Sequence, residues 1–453
     1  MGTASPDSAF ASALCTGREC QPEVYSRPAP GRGTSGDVMN HLRLRWEPLA
    51  LLVVVALVAA GCGDDDAEPS ADGTASATTA ITTAAAPAGE PLKLMVVFEG
   101  TGIASASPEI PEGAIAAAGA INRAGGIQGR PVEIIVCDTK NDPNNAAECG
   151  RRAVSEGVLA MVGNLTLYSG EFMPLMAENK IASIGLEPAT ASDFSSPAAF
   201  PIAGGAPVVW AGLAGTLAES GAKKIALARI DVGPAAALSD FANAGLARFG
   251  LTVSKDVPIP PGAPDMSTYV AAALEGGTEA LVVGLPAQDA VNFMLAVRQA
   301  SPDLEIALSA TELGDVLEAL GDNADGVVQV ASLTTALKNT AEQRYEEDMA
   351  AAGYEELTGF RLAAYASVLV FQEIAQALPE ITPEAVFDAL GQAENLDVGL
   401  TAPLQFTTSV AGLPRVFNPC VFASRISGGE GEQQPITGKF QDVYTGDECP
   451  TPA

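Results

Sequence analysis

Histidine is almost absent from this sequence: of 453 residues only His41 carries an imidazole. It falls in a short N-terminal segment that reads as a cleaved export signal, so the mature chain has none. Ser-His-Asp triads, Cys-His pairs and histidine-containing metal sites are thereby excluded. Basic side chains are scarce too, 24 against 55 acidic, giving a net charge of −31. Residues 1–61 hold five of each sign, so the whole excess falls on residues 62–453. Such an acidic exterior argues against nucleic acid and against electrostatic attachment to anionic lipid. The N-terminal apolar run does not reach bilayer length either. Leu49 to Gly61 is thirteen residues, where a spanning helix needs about twenty.

What that run does fit is the apolar core of a secretory signal, with Arg43 and Arg45 before it and small residues at its end. Ala59-Ala60-Gly61-Cys62 resembles the lipobox of bacterial lipoproteins, in which the chain is cut before a lipid-modified cysteine. The immediate passage into Asp64, Asp65 and Asp66 rules out a buried strand. The reading is therefore a lipidated Cys62, a signal peptide over 39–61 starting at Met39, and a gene-model extension over 1–38. Residues 62–90, rich in Asp, Ala and Thr, form a flexible tether. Random-coil scaling gives that tether a reach on the order of 30 Å. Four cysteines remain beyond Cys62. In an exported chain they pair as disulfides. Cys137 and Cys149 are close enough in sequence for a local bridge, which leaves Cys420 with Cys449.

From Leu92 the texture changes to strands alternating with helices. "LKLMVVF", "VEIIVC", "VLAMV" and "IASIG" are buried-type strands, with helices over Pro111–Asn122, from Asp142-Pro143 to about Glu156, and from about Gly170 to Glu178. A second series has strands near "KIALARI", "LTVSKDV", "EALVVG", "LEIAL" and "GVVQV". Residues 341–390 are mostly helical, and the tail is short strands and turns. This alternation predicts an α/β fold of parallel, doubly wound sheets with helices on both faces. Ligands bind such sheets at the carboxyl ends of the strands, so two facing lobes make a cleft.

The run "INRAGGIQGRPVEIIVCDTKNDP", Ile121 to Pro143, resembles type I periplasmic binding proteins of the leucine/isoleucine/valine-binding family. In that family a helix ends in Ile-Asn-x-x-Gly-Gly-Ile-x-Gly-Arg and feeds a strand closing with Asp before an Asp-Pro helix start. Ser169-Gly170, "EPATASDF" (Glu187–Phe194) and "PDMS" (Pro264–Ser267) follow in matching order. The resemblance implies two doubly wound parallel-sheet lobes joined by a multi-strand hinge. Lobe one would be 91–206 plus 334–410, and lobe two 207–333 plus 411–453. It further implies a monomeric, non-enzymatic protein with no cofactor or metal. Such a protein delivers an amino acid or similar small polar solute to an ABC importer permease, from outside the cell membrane. A sensory receptor that reports an amide or amino acid without transport is the alternative on the same scaffold, and an exported carboxylate hydrolase lacks any visible motif.

Carried over from the family, Ser169 with Gly170, and Ala189 with Thr190, would hold the solute carboxylate through hydroxyls and backbone N–H groups. Asp289 would pair with an ammonium from lobe two. Ser169 equally suits plain capping of the following helix, Thr190 a local loop bond, and Asp289 the first turn of a helix. Glu171 and Glu187 lie near the first group, and a carboxylate there requires both to point away. Phe98 and Tyr168 are aromatics near the cleft, either of which suits the core as well.

Lipidation is directly testable. Cys62→Ser should leave the precursor uncut or release the protein from the membrane fraction on cell fractionation. Membrane-bound protein of mature size in that variant contradicts the lipoprotein reading.

Overall fold

The computed structural model describes residues 87–102, 107–309, 313–357, 359–410, 412–427 and 432–452. Cys62, the signal segment, the N-terminal extension and the tether up to residue 86 lie outside them. The described residues belong to one compact unit, Thr79–Ala453. Ala88 and Gly89 already donate to the Gly129 carbonyl, which fixes the chain just ahead of the first strand.

Two sheets organise the structure. The first is β1 (Leu92–Phe98), β2 (Val132–Asp138), β3 (Ala160–Val162) and β4 (Ala182–Ile184), all parallel in the order β2-β1-β3-β4. Helices α1 (Ile110–Arg123), α2 (Pro143–Ser155) and α3 (Met173–Glu178) connect them. Along β1, Leu94, Val96 and Phe98 face one apolar cluster while Met95 and Val97 face another. Burial on both faces is why the strand reads as an unbroken apolar run. The second sheet repeats the plan with β5 (Ile225–Ile230), β6 (Lys255–Ile259), β7 (Ala280–Gly284), β8 (Glu305–Ser309) and β9 (Val328–Ala331). Its order is β11-β10-β9-β8-β7-β5-β6. Strands β10 (Cys420–Ser427) and β11 (Glu432–Asp442) are an antiparallel hairpin on its edge.

Between the sheets the chain passes three times: after β4 into α4 (Gly205–Glu219), after β9 into α9 (Thr340–Ala352), and after α11 (Pro383–Leu390) into β10. Helices α9, α11 and the long α10 (Phe360–Ala377) return to the core of the first sheet. Both disulfides pair as the sequence spacing suggested, Cys137 with Cys149 and Cys420 with Cys449.

Three local differences have identifiable causes. The helix anticipated over 170–178 is broken, with a single 3₁₀ turn at Ser169–Glu171 before α3. Pro174 has no N–H to give, and its ring would meet the carbonyl of Gly170 in a continuous helix. The strand anticipated across "LTVSKDV" begins only at Lys255, because Gly250, at φ 66°, and Leu251, which donates to Leu246 O, close the preceding helix. The tail, anticipated as short strands, is instead a hairpin of eight and eleven residues.

The packing of α1 on α10 depends on a missing side chain. A Cβ on Gly113 would lie 1.9 Å from the Arg361 carbonyl oxygen, so the helix backbones touch there. Gly119 on the same helix would meet only the far end of Arg123, at 3.3 Å. Gly113→Ala should therefore cost about 1–3 kcal/mol in a denaturant titration, despite alanine's better helix propensity. Gly119→Ala should cost almost nothing, and equal costs would contradict the close approach.

Candidate functional site

In the first sheet the strand order reverses between β1 and β3, and side chains just beyond the carboxyl ends of β1, β3 and β4 converge there. This is where an open parallel sheet leaves a crevice. Asn164 anchors the group: its Oδ1 accepts from Val97 N–H at 2.8 Å and its Nδ2 donates to Ser183 Oγ at 2.9 Å. Glu99, only 7% exposed, accepts from the Thr166 hydroxyl at 2.6 Å and from Leu167 N–H at 2.9 Å. Gly163, at φ 61°, lets α10 approach, since a Cβ would meet Ala364 Cβ at 3.0 Å.

Ser169 and Thr190 are brought together, their hydroxyl oxygens 2.5 Å apart. Ser169 is buried and is the first residue of the 3₁₀ turn, whose N-cap position is Tyr168. Gly170 is exposed, with space limited by Ser192. The backbone N–H groups of Ala189 and Thr190 do not face open space. Both donate to Asp193 Oδ2, at 3.2 and 2.8 Å. The Asp193 carboxylate thus reaches back across a turn to both N–H groups. The carboxylate found against these donors belongs to the chain itself.

A recess opens beside this group, lined in part by Asn164, Thr166, Ser169, Ser183, Glu187 and Asp193, with a volume of about 10 Å³. That is room for one water-sized group. Among the described residues no lysine or arginine lines it. Burial pushes the Glu187 carboxyl above the usual carboxylate range, with no described hydrogen bond to oppose it. Burial also raises Asp193, against the lowering effect of hydrogen bonds from Thr190 N–H, Ser169 and Ala189 N–H. Glu171, by contrast, is exposed.

Asp289 stands apart from this cluster. It is buried in the first turn of α7 (Ala287–Ala300), at the carboxyl end of β7, and accepts from Gly262 N–H at 2.9 Å. That bond ties the loop after β6 to the helix start. Phe98 belongs to the core, and Tyr168 donates to Asn141 Oδ1 at 3.1 Å. The exposed apolar residues at these strand ends are Leu167 and Val232, at 61% and 41%. Asp193, Glu99 and Asn164 were missed by sequence reasoning; only Asp193 left a trace there, in the Thr-x-x-Asp spacing. Among the described residues no acidic or cysteine cluster is arranged to hold a metal ion.

Comparisons with known proteins fit this architecture. The family described as "Periplasmic binding protein" matches residues 95–428. No curated protein matches the chain. Among solved structures, a leucine-, isoleucine-, valine-, threonine- and alanine-binding protein from Brucella ovis, in a closed conformation, aligns with a TM-score of 0.66 at 17% identity, over 79% of this chain and 97% of that one. A solute-binding protein from R. palustris in complex with 4-hydroxybenzoate aligns at 0.62 and 18% identity, over 76% and 96%. A leucine-binding protein from Thermotoga maritima aligns at 0.60 and 18%, over 76% and 97%.

The desolvated glutamate predicts a pH signature. A carboxyl whose pKa is higher folded than unfolded holds its proton more tightly in the folded chain, so it adds stability as pH falls through the folded value and removes it as pH rises. Glu187→Gln should therefore raise Tm near neutral pH in a thermal melt. The difference from the parent should shrink as the pH falls into the ordinary glutamate range. A pH-independent difference would contradict the desolvation of Glu187.

Proposed function

The chain belongs to the periplasmic binding protein family, and from that premise we propose that it is the lipid-anchored solute-binding component of an ABC importer. It captures an amino acid or similar small polar solute between two lobes, 91–206 plus 334–410 and 207–333 plus 411–453, and presents it to a permease outside the cell membrane. The observation that carries this reading is the polar recess at the β1/β3 reversal, where Ser169 and Thr190 meet beside unfilled space. Ser169, Gly170, Ala189 and Thr190 contribute from lobe one, and Asp289 from lobe two.

Capture needs no bond chemistry. Closure of two lobes about a hinge desolvates the solute and satisfies groups that neither lobe satisfies alone. The similarity to a closed amino-acid-binding protein and to one holding 4-hydroxybenzoate supports solute capture without choosing the solute.

The test is a thermal-shift screen of the full chain against amino acids, their amides, amines and aromatic acids. A solute at one hundred times its Kd stabilises the folded chain by about 2.7 kcal/mol. Ser169→Ala should weaken the best solute about tenfold in calorimetry, the loss of one hydrogen bond to a charged group. Asp303→Ala, on a surface turn after α7, should change nothing. A screen without any shift, or a solute indifferent to Ser169→Ala, would overturn this assignment.

A further inference from the structure

We propose that the lobe-one recess takes a primary ammonium group of the solute, and that the solute is an amine without a carboxylate at that end. The inference rests on the reading of this recess as the solute site. It reverses the polarity expected from the family resemblance, in which these donors hold a carboxylate.

The donors are already used. Ala189 N–H and Thr190 N–H both point at Asp193 Oδ2, so a solute carboxylate would have to displace a carboxylate that the chain supplies. Displacement would leave Asp193 without its two backbone donors inside the same recess. What remains on offer is acceptor capacity. Glu187 lines the recess with no hydrogen-bond partner among the described residues, and an ionised carboxylate can only accept. Asp193, which already accepts from both N–H groups and from the hydroxyls of Ser169 and Thr190, adds a second carboxylate, and the hydroxyl oxygens add lone pairs. Three N–H donors on one ammonium match that set.

Size points the same way. A cavity of about 10 Å³ admits one water-sized group. An ammonium is that size, whereas a carboxylate brings two oxygens on a third atom. Charge agrees as well: among the described residues no cationic side chain lines the recess, so an incoming anion would find no charge to pair with in a partly desolvated place. Both carboxyls have their charged form disfavoured by burial, and a bound cation relieves that.

Methylammonium and acetate are the minimal probes. Each is titrated at matched ionic strength into the full chain while the backbone amide signals of Ala189 and Thr190 are followed by NMR. Methylammonium chloride should shift them saturably, and sodium acetate should not. Asp193→Asn keeps an oxygen to accept from Thr190 N–H but loses the charge, and should weaken methylammonium at least about tenfold. If that variant fails to fold, Glu187→Gln makes the same comparison. A saturable acetate response in the parent, or none with methylammonium, overturns the proposal. Solute capture fails separately, in the thermal screen. A carboxylate-bearing solute that depends on Ser169 would leave capture standing and remove only the ammonium assignment.

Discussion

Everything on either side of the molecule depends on how three crossing segments satisfy their backbone. Away from both sheets a peptide group has no ladder to join, and a buried unpaired one is costly. Asn418, only 4% exposed, meets most of this need with one side chain. Its Nδ2 donates to Ile202 O at 3.0 Å, on the first crossing, and to Thr401 Oγ1 at 3.1 Å, while its Oδ1 accepts from Cys420 N–H. The second crossing joins through Thr334 N–H to Leu400 O and Asn339 Nδ2 to Gly399 O. These directed bonds join the three segments alongside apolar packing, for Ile202, Leu400, Leu404, Phe406 and Phe417 are buried in the same cluster as the first sheet.

The third crossing also reaches the wall of the site. Arg415 lies between the rings of Phe200 and Phe417, 4.6 and 4.7 Å from their centroids, and donates to the carbonyls of Pro197 and Ala199. Burial pulls its pKa down to about 10, which still leaves it charged at neutral pH. No carboxylate partners it among its described bonds, so aromatic faces and carbonyl dipoles carry the charge. Ala199 lines the recess. The segment that follows β4 is thus fastened on one side to the site and on the other to the third crossing, a direct physical link between the two.

How far this was legible in the sequence depends on what each signal requires. Strands buried on both faces appear as apolar runs whatever their partners, so the order of elements could be read, as could the turn after α1, where Gly125 and Gly126 take φ of 103° and 76°. The disulfides were legible because β2 runs straight into α2 and brings Cys137 beside Cys149. Ser169 and Thr190 were found through the family resemblance, and the structure places their hydroxyls in contact. What those groups face was not legible. Asp193 announces itself in sequence only as an acidic residue three places after a threonine, and whether its carboxylate fills a ligand's place depends on the fold of a turn distant in sequence from Ser169. Glu99 and Asn164 sit one and two residues past strands, where polarity is ordinary. The break at Phe172 was written in Pro174 and was overlooked because a proline early in a helix is usually benign.

The acidity of the chain and the acidity of the recess have different consequences. Surface carboxylates such as Glu275 and Glu279 gain from neighbouring lysines or backbone N–H groups, and their pKa values fall. Glu187 and Asp193 are shifted upwards by loss of water. Folding alone does not favour such an arrangement, since a nonpolar or amide side chain at Glu187 would avoid the desolvation altogether. Perturbed groups of this kind gather where something other than the fold sets the residue. Two of them, Glu187 and Asp193, sit at one strand-order reversal, beside a space the size of a single small group and, among the described residues, with no lysine or arginine lining it. The proposed ammonium would supply the charge complementary to both carboxylates, and the protein's excess of negative charge raises the local concentration of cations around it.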